Sequence, residues 1–182
     1  ALMCWDLPTE NLREVAPNLK WIHIIGAGVE HLCPMDCVPN DLVITNNKGA
    51  QADKAGDFGL MAVMMLHCHI PAIASNQVRS HWLSLYSTPI EGRTVLIVGV
   101  GSLGGGAAKQ LKKLGIRVLG ISRHGNPHPH VDEMGTMDQL NEFLGRADQV
   151  FVATPMTPET ENLMSRERLL CMKPGAGIIN IG

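Results

Sequence analysis

Residues 93–115, "RTVLIVGVGSLGGGAAKQLKKLG", decide the fold. The run "RTVLIVG", 93–99, is aliphatic without polar alternation, the pattern of a strand buried on both faces. Past the glycines, Leu103, Ala107, Leu111 and Leu114 recur at helical spacing, with Lys109, Gln110, Lys112 and Lys113 on the outward side. Gly115 ends this helix, and "IRVLGI", 116–121, is the next strand. Between strand and helix lies Gly99-Val100-Gly101-Ser102-Leu103-Gly104. In a dinucleotide turn the first glycine permits the bend, the second lets a pyrophosphate approach the backbone, and the third lets helix pack on strand. The amides of Ser102 and Leu103 then stand at a helix N-terminus, whose partial positive charge favours phosphate. Glycine-rich turns that only pack are common; the flanking strand and amphipathic helix favour a nucleotide site here.

About twenty residues further on, an NAD site carries an acid that bonds the ribose hydroxyl. At that point this chain reads "GISRHG", 120–125. A carboxylate would repel a 2′-phosphate, whereas Arg123 offers it charge-assisted bonds, Ser122 a hydroxyl and His124 a third contact. The stretch favours NADP (NADPH) over NAD. The alternative is that Arg123 merely solvates a strand end.

Outward from this unit, strands and helices continue to alternate. Before it come the short apolar run "LMCW", a helix opened by Pro8-Thr9-Glu10 and ended by Pro17-Asn18, and strands in "LKWIHII", 19–25, and "LVITNN", 42–47. A long helix over residues 53–69 carries Gly56, Gly59, Leu60, Val63, Met64 and His67 on one face. Its other face is also apolar, which predicts burial all round at a domain or subunit interface, with the small residues admitting another backbone. Residues 73–92 are polar and turn-rich, and read as a crossover. After the glycine turn, Thr136 with Gln139 forms a capping box for a helix bearing Leu140, Phe143 and Leu144. "QVFVAT", 149–154, is a strand, Thr157-Pro158 and Ser165 start short helical segments, and "GIINIG" is a last strand. This order predicts an α/β chain: a Rossmann-type doubly wound parallel sheet over 76–182, incomplete at its C-terminal end, after part of a flavodoxin-like α/β substrate domain over 1–75.

A net charge of −2 with 45% hydrophobic and 18% charged residues describes a globular chain and argues against a disordered or nucleic-acid-coating protein. The apolar stretch at 60–66 is too short to span a bilayer, and the first residues lack the basic region of a secretory signal. Five scattered cysteines fit reduced thiols in a cytoplasmic protein. Cys33 and Cys37 near His31 lack a fourth ligand for zinc, so no metal is expected there. His67 and His69 read as packed histidines, His128 and His130 as a solvated turn.

Taken together, "PNLKWIHIIGAGVEHL", "VITNNKGAQADKAGDFGLMAVMML", "EGRTVLIVGVGSLGG" and "ATPMTPETENLMSRERLLCMKPGAGIINIG" resemble the D-isomer-specific 2-hydroxyacid dehydrogenases, which include glyoxylate/hydroxypyruvate reductases and phosphoglycerate dehydrogenase. The resemblance implies hydride transfer between a nicotinamide cofactor and a small 2-oxo or 2-hydroxy acid, in a homodimer. It places the substrate carboxylate on the amides of Ala27 and Gly28, where a missing Cβ lets an anion approach. It lays Ala153, Thr154 and Pro155 against the cofactor and Ile181 and Gly182 beside the nicotinamide. The family's substrate-binding arginine, its glutamate and its proton-exchanging histidine fall past Gly182, and the first strands of its substrate domain fall before Ala1. None of the eight histidines matches the catalytic one. The chain is therefore expected to be an internal portion, inactive by itself. A non-catalytic NADP(H)-binding sensor or corepressor-like module is the rival reading.

Overall fold

The computed structural model describes residues 1–6, 11–29 and 38–182. In chain order the elements are β1 (Leu2–Cys4), α1 (Leu12–Val15), β2 (Trp21–Ile24), β3 (Val43–Asn46), α2 (Ala52–His67), α3 (Ile70–Val78), β4 (Thr94–Val98) and α4 (Ser102–Lys112). Then follow β5 (Arg117–Ile121), β6 (Glu133–Gly135), a 3₁₀ turn (Met137–Gln139), α5 (Leu140–Arg146), β7 (Gln149–Val152), α6 (Arg166–Leu170) and β8 (Gly177–Asn180). They form two sheets, parallel throughout, in the orders β1-β2-β3 and β6-β5-β4-β7-β8.

In the larger sheet β4 is central, and its side chains alternate between two buried layers. Val95 and Ile97 pack with Val63 of α2 and Ala107 and Leu111 of α4. Leu96 and Val98 pack with Leu140, Phe143 and Leu144 of α5. Both faces are covered, which is why the strand has no polar alternation. The chain winds to β5 on one side of β4 and to β7 on the other. This reversal beside β4 is the topological switch point where open α/β sheets hold ligands.

The small residues of α2 face α4. A Cβ on Gly56 would lie 2.8 Å from Gly106 O, and one on Gly106 only 2.1 Å from Ala52 O. The close approach expected of this helix is thus made to α4. Among the described residues α4 and the larger sheet cover one side of the helix, and on the other side Phe58 and Met61 are 45% and 47% exposed. At His69, with φ of 58°, the chain bends by 64° into α3, which occupies part of the stretch expected to be a crossover. Pro71 sits in the first turn of α3, where its missing N–H costs nothing. His67 bonds Thr88 O at 2.6 Å, whereas His69 is exposed rather than packed. No single helix among the described residues is long and apolar enough to cross a membrane.

The capping box forms as expected, Thr136 with Gln139, and Ser165 caps α6. Thr157-Pro158 starts no helix. The Thr160 hydroxyl donates to Pro155 O at 2.6 Å and accepts from Thr157 N–H at 2.8 Å, which closes a turn in its place. The opening of a helix at Pro8-Thr9-Glu10 lies outside the described residues.

Candidate dinucleotide and anion site

The glycine turn has the three separate constraints read from the sequence. Gly99 has φ of +97°, its N–H donates to Ile121 O at 2.9 Å, and a Cβ on it would lie 2.7 Å from Ala153 O. Gly104 carries α4 against β4: its Cβ would stand 2.1 Å from Gly99 O. Gly101 differs from both, for a Cβ there meets no described residue within 4 Å. Among the described residues the middle glycine therefore answers to no packing demand and leaves an open face. The α4 ladder begins with Gly105 N–H on Gly101 O at 2.7 Å, so the amides of Ser102 and Leu103 precede it and point out of the helix start. An open face over free amides at the N-terminus of an eleven-residue helix fits a pyrophosphate.

Ser122, Arg123 and His124 follow β5, the neighbour of β4. Ser122 N–H donates to Gly135 O at 3.1 Å, and Ser122 Oγ accepts Gly125 N–H at 3.1 Å. The serine oxygen thus shapes its own turn, and its hydroxyl proton stays available as a donor. Arg123 and His124 are exposed. Across from them is Glu159, whose carboxyl lies below the usual range. The Thr157 hydroxyl and the glutamate's own backbone N–H contribute most, and the Arg123 charge adds to them. The turn held by Thr160 thus presents an acid toward Arg123, a feature hidden in the sequence because it depends on that turn.

His128 also departs from expectation. It is half-buried, and its Nε2 lies 2.8 Å from where a Cβ on Gly105 would stand, at the first turn of α4. Its Nδ1 accepts His130 N–H at 3.3 Å, which assigns the ring proton to Nε2. Burial, with His130 adding to it, pushes its pKa down.

Strand ends bring the remaining cofactor candidates together. Ala153 N–H donates to Val98 O at 2.8 Å and Ile181 N–H to Val152 O at 3.0 Å. A Cβ on Gly182 would lie 2.1 Å from Thr154 O. A cleft of about 690 Å³ opens here, lined among others by Thr154, Pro155, Thr157, Asn180 and Gly182. A second cleft, of about 340 Å³, lies at the opposite ends of these strands, between His67, Arg93 and Lys173, and shares no residue with the glycine turn. Ala27 and Gly28, half-buried, stand just past the carboxyl end of β2 in the smaller sheet. No three His, Cys, Asp or Glu side chains among the described residues are grouped to hold a metal, and His31, Cys33 and Cys37 lie outside those residues.

Comparison with known proteins accords with this geometry. The family described as "D-isomer specific 2-hydroxyacid dehydrogenase, NAD binding domain" matches residues 60–182. A glyoxylate reductase of Thermofilum pendens is 27% identical over 99% of this chain and 56% of its own. A D-3-phosphoglycerate dehydrogenase of Methanocaldococcus jannaschii is 26% identical over 94% of this chain and 33% of its own. Among solved structures, a D-isomer specific 2-hydroxyacid dehydrogenase of Xanthobacter autotrophicus in complex with NADPH and MES superposes with a TM-score of 0.84 at 30% identity. It covers 98% of this chain, which covers 56% of it. An NADPH-dependent glyoxylate/hydroxypyruvate reductase of Sinorhizobium meliloti, in complex with NADP and sulfate, gives a TM-score of 0.82 at 27% identity, over 98% of this chain and 57% of its own. The chain spans between a third and somewhat over half the length of these relatives.

Proposed function

The chain belongs to the D-isomer specific 2-hydroxyacid dehydrogenases, and from that premise we propose that the whole protein is an NADP-preferring reductase of a small 2-oxo acid such as glyoxylate or hydroxypyruvate. Residues 1–75 serve in its substrate-binding unit and residues 76–182 in its dinucleotide-binding unit. One observation carries the reading: an open, amide-lined turn at Gly101 is paired with a guanidinium, where NAD sites place a carboxylate, at the end of β5.

In this proposal Gly99, Gly101, Ser102, Leu103 and Gly104 hold the pyrophosphate, and Ser122, Arg123 and His124 bind the 2′-phosphate. Ala153, Thr154, Pro155, Ile181 and Gly182 line the nicotinamide side. When bound, NADPH supplies the hydride for C2 of the substrate. The amides of Ala27 and Gly28 hold the substrate carboxylate, so that the carbonyl carbon is presented in one orientation. The arginine that polarises the carbonyl and the group that delivers the proton come from outside residues 1–182. The protein is cytoplasmic and pairs as a homodimer through the exposed apolar face of α2, which carries Phe58, Met61 and Met65.

The test is NADPH consumption by the longest natural form of the protein with glyoxylate and hydroxypyruvate. Turnover yielding glycolate or D-glycerate is expected. NADPH binding without turnover of any 2-oxo acid would overturn the enzymatic reading in favour of a sensor.

A further inference from the structure

The loop that carries Ala27 and Gly28 is held by one pair of residues at the end of β3. The Asn47 side-chain amide donates to Ile25 O at 3.0 Å, the Asn47 backbone N–H to Gly26 O at 3.0 Å, and the Asn46 side-chain amide to Ala27 O at 2.7 Å. Three successive carbonyls therefore turn toward Asn46 and Asn47. In a trans peptide the C=O and the following N–H point in opposite directions. The same three bonds thus aim the N–H groups of Gly26, Ala27 and Gly28 away from β3. Among the described residues neither the Ala27 nor the Gly28 N–H has an acceptor. A row of backbone N–H groups facing one way is an anion-binding concavity.

The orientation of each asparagine is fixed by its other end. Lys48 N–H donates to Asn46 Oδ1 at 3.3 Å, which leaves Nδ2 to face Ala27 O. His23 Nε2 stands 3.2 Å from Asn47 Oδ1, which leaves that Nδ2 for Ile25 O. The roles of the two differ. Asn47 holds its two carbonyls through both backbone and side chain, whereas the 27–28 peptide is held by the Asn46 side chain alone. That peptide precedes a glycine, whose backbone rotates with little steric resistance. Were it to flip, Ala27 O would replace Gly28 N–H at the same place, and an attractive dipole would become a repulsive one for an anion.

We infer that Asn46 is a positioning residue for substrate: its side-chain amide holds Ala27 O so that the Gly28 N–H faces the substrate carboxylate. This rests on the reading that Ala27 and Gly28 bind that carboxylate. The residue acts through the peptide and contacts no reacting atom. Its loss removes binding made equally in the ground and transition states, so KM should move and kcat should not.

The experiment compares Asn46→Asp and Asn46→Ala with the wild type in the full natural protein. KM for glyoxylate or hydroxypyruvate, kcat, NADPH affinity and the unfolding midpoint are measured for each. Asn46→Asp keeps the shape but presents oxygen to oxygen; it should raise KM roughly ten- to a hundredfold, the loss expected for a hydrogen bond to a charged group. Asn46→Ala should raise KM in the same direction but less, and kcat and NADPH affinity should change less than threefold in both. An unchanged KM in active, folded variants overturns the role of Asn46 and leaves the proposed reaction standing. A joint fall of kcat, NADPH affinity and unfolding midpoint in both variants overturns it in favour of a purely structural role. A wild type without turnover overturns the functional reading itself.

Discussion

Gly101 and Gly104, three residues apart, should fail in opposite ways when each is changed to alanine. At Gly104 the new Cβ would stand 2.1 Å from Gly99 O and 2.9 Å from Ile97 Cγ2. A carbon–oxygen contact closes no nearer than about 3.3 Å, so the start of α4 must retreat by roughly 1 Å from β4. Overpacking of this kind costs about 1–3 kcal/mol, and better helix propensity returns at most about 1 kcal/mol of it. At Gly101, φ is −100° and the Cβ meets no described residue within 4 Å, so the fold should lose only the few tenths to about 1 kcal/mol that separate glycine from alanine at an N-cap. The same Cβ, however, fills the face through which a pyrophosphate reaches the amides. Losing one hydrogen bond to a charged group costs about 1.5–3 kcal/mol, or roughly ten- to a hundredfold in affinity. Denaturant unfolding and NADPH fluorescence titration of both variants, in the full natural protein, read the two effects separately. A Gly101→Ala protein that binds NADPH normally, or a Gly104→Ala protein as stable as the wild type, would refute the division of roles.

Arg123→Asp should weaken NADPH by about ten- to a hundredfold, measured by titration, because it replaces a charge-assisted bond with repulsion. NADH should change less than threefold, and an equal loss for both would show that Arg123 does not read the 2′-phosphate. At the amino ends of β4 and β7, burial opposes ionisation of Asp148, but Thr94 N–H at 2.8 Å and the Lys173 ammonium at 2.9 Å outweigh it and hold its carboxyl below the ordinary aspartate value. A carboxyl depressed in the folded state adds stability above its unfolded pKa, near 4, and loses it as pH falls through the folded value. Asp148→Asn should therefore flatten the acid limb of a stability–pH curve below about pH 4 and lower the neutral plateau. Met61→Lys, on the exposed face of α2, should convert the proposed homodimer to a monomer by light scattering while NADPH binding persists, and a wild type that is already monomeric would refute the α2 interface.

The glycine turn was legible in the sequence because its constraints are local. A positive φ, an open approach and a tight helix–strand contact fall within six residues, and glycine is the response to each. The buried strands were legible for a similar reason, since β4 and β7 show their two-sided burial in their composition. What escaped the sequence depends on register between distant elements. The grip of Asn46 and Asn47 on residues 25–27 exists because β3 pairs with β2 one place before the loop. The small residues of α2 announced a close neighbour without naming α4. β6 was missed because three residues at a sheet edge carry no periodicity. Thr157-Pro158 has the chemistry of a helix start, yet the Thr160 hydroxyl bonds Pro155 O and closes a turn.

If the whole protein is the proposed NADPH-dependent reductase, hydride must pass from nicotinamide C4 to C2 of a 2-oxo acid. The most direct test supplies the full natural protein with NADPH dideuterated at nicotinamide C4 and unlabelled hydroxypyruvate, then analyses the glycerate by mass spectrometry. D-glycerate carrying one deuterium at C2 is expected. Glycerate without the label, or cofactor bound and returned unchanged, would contradict the proposal.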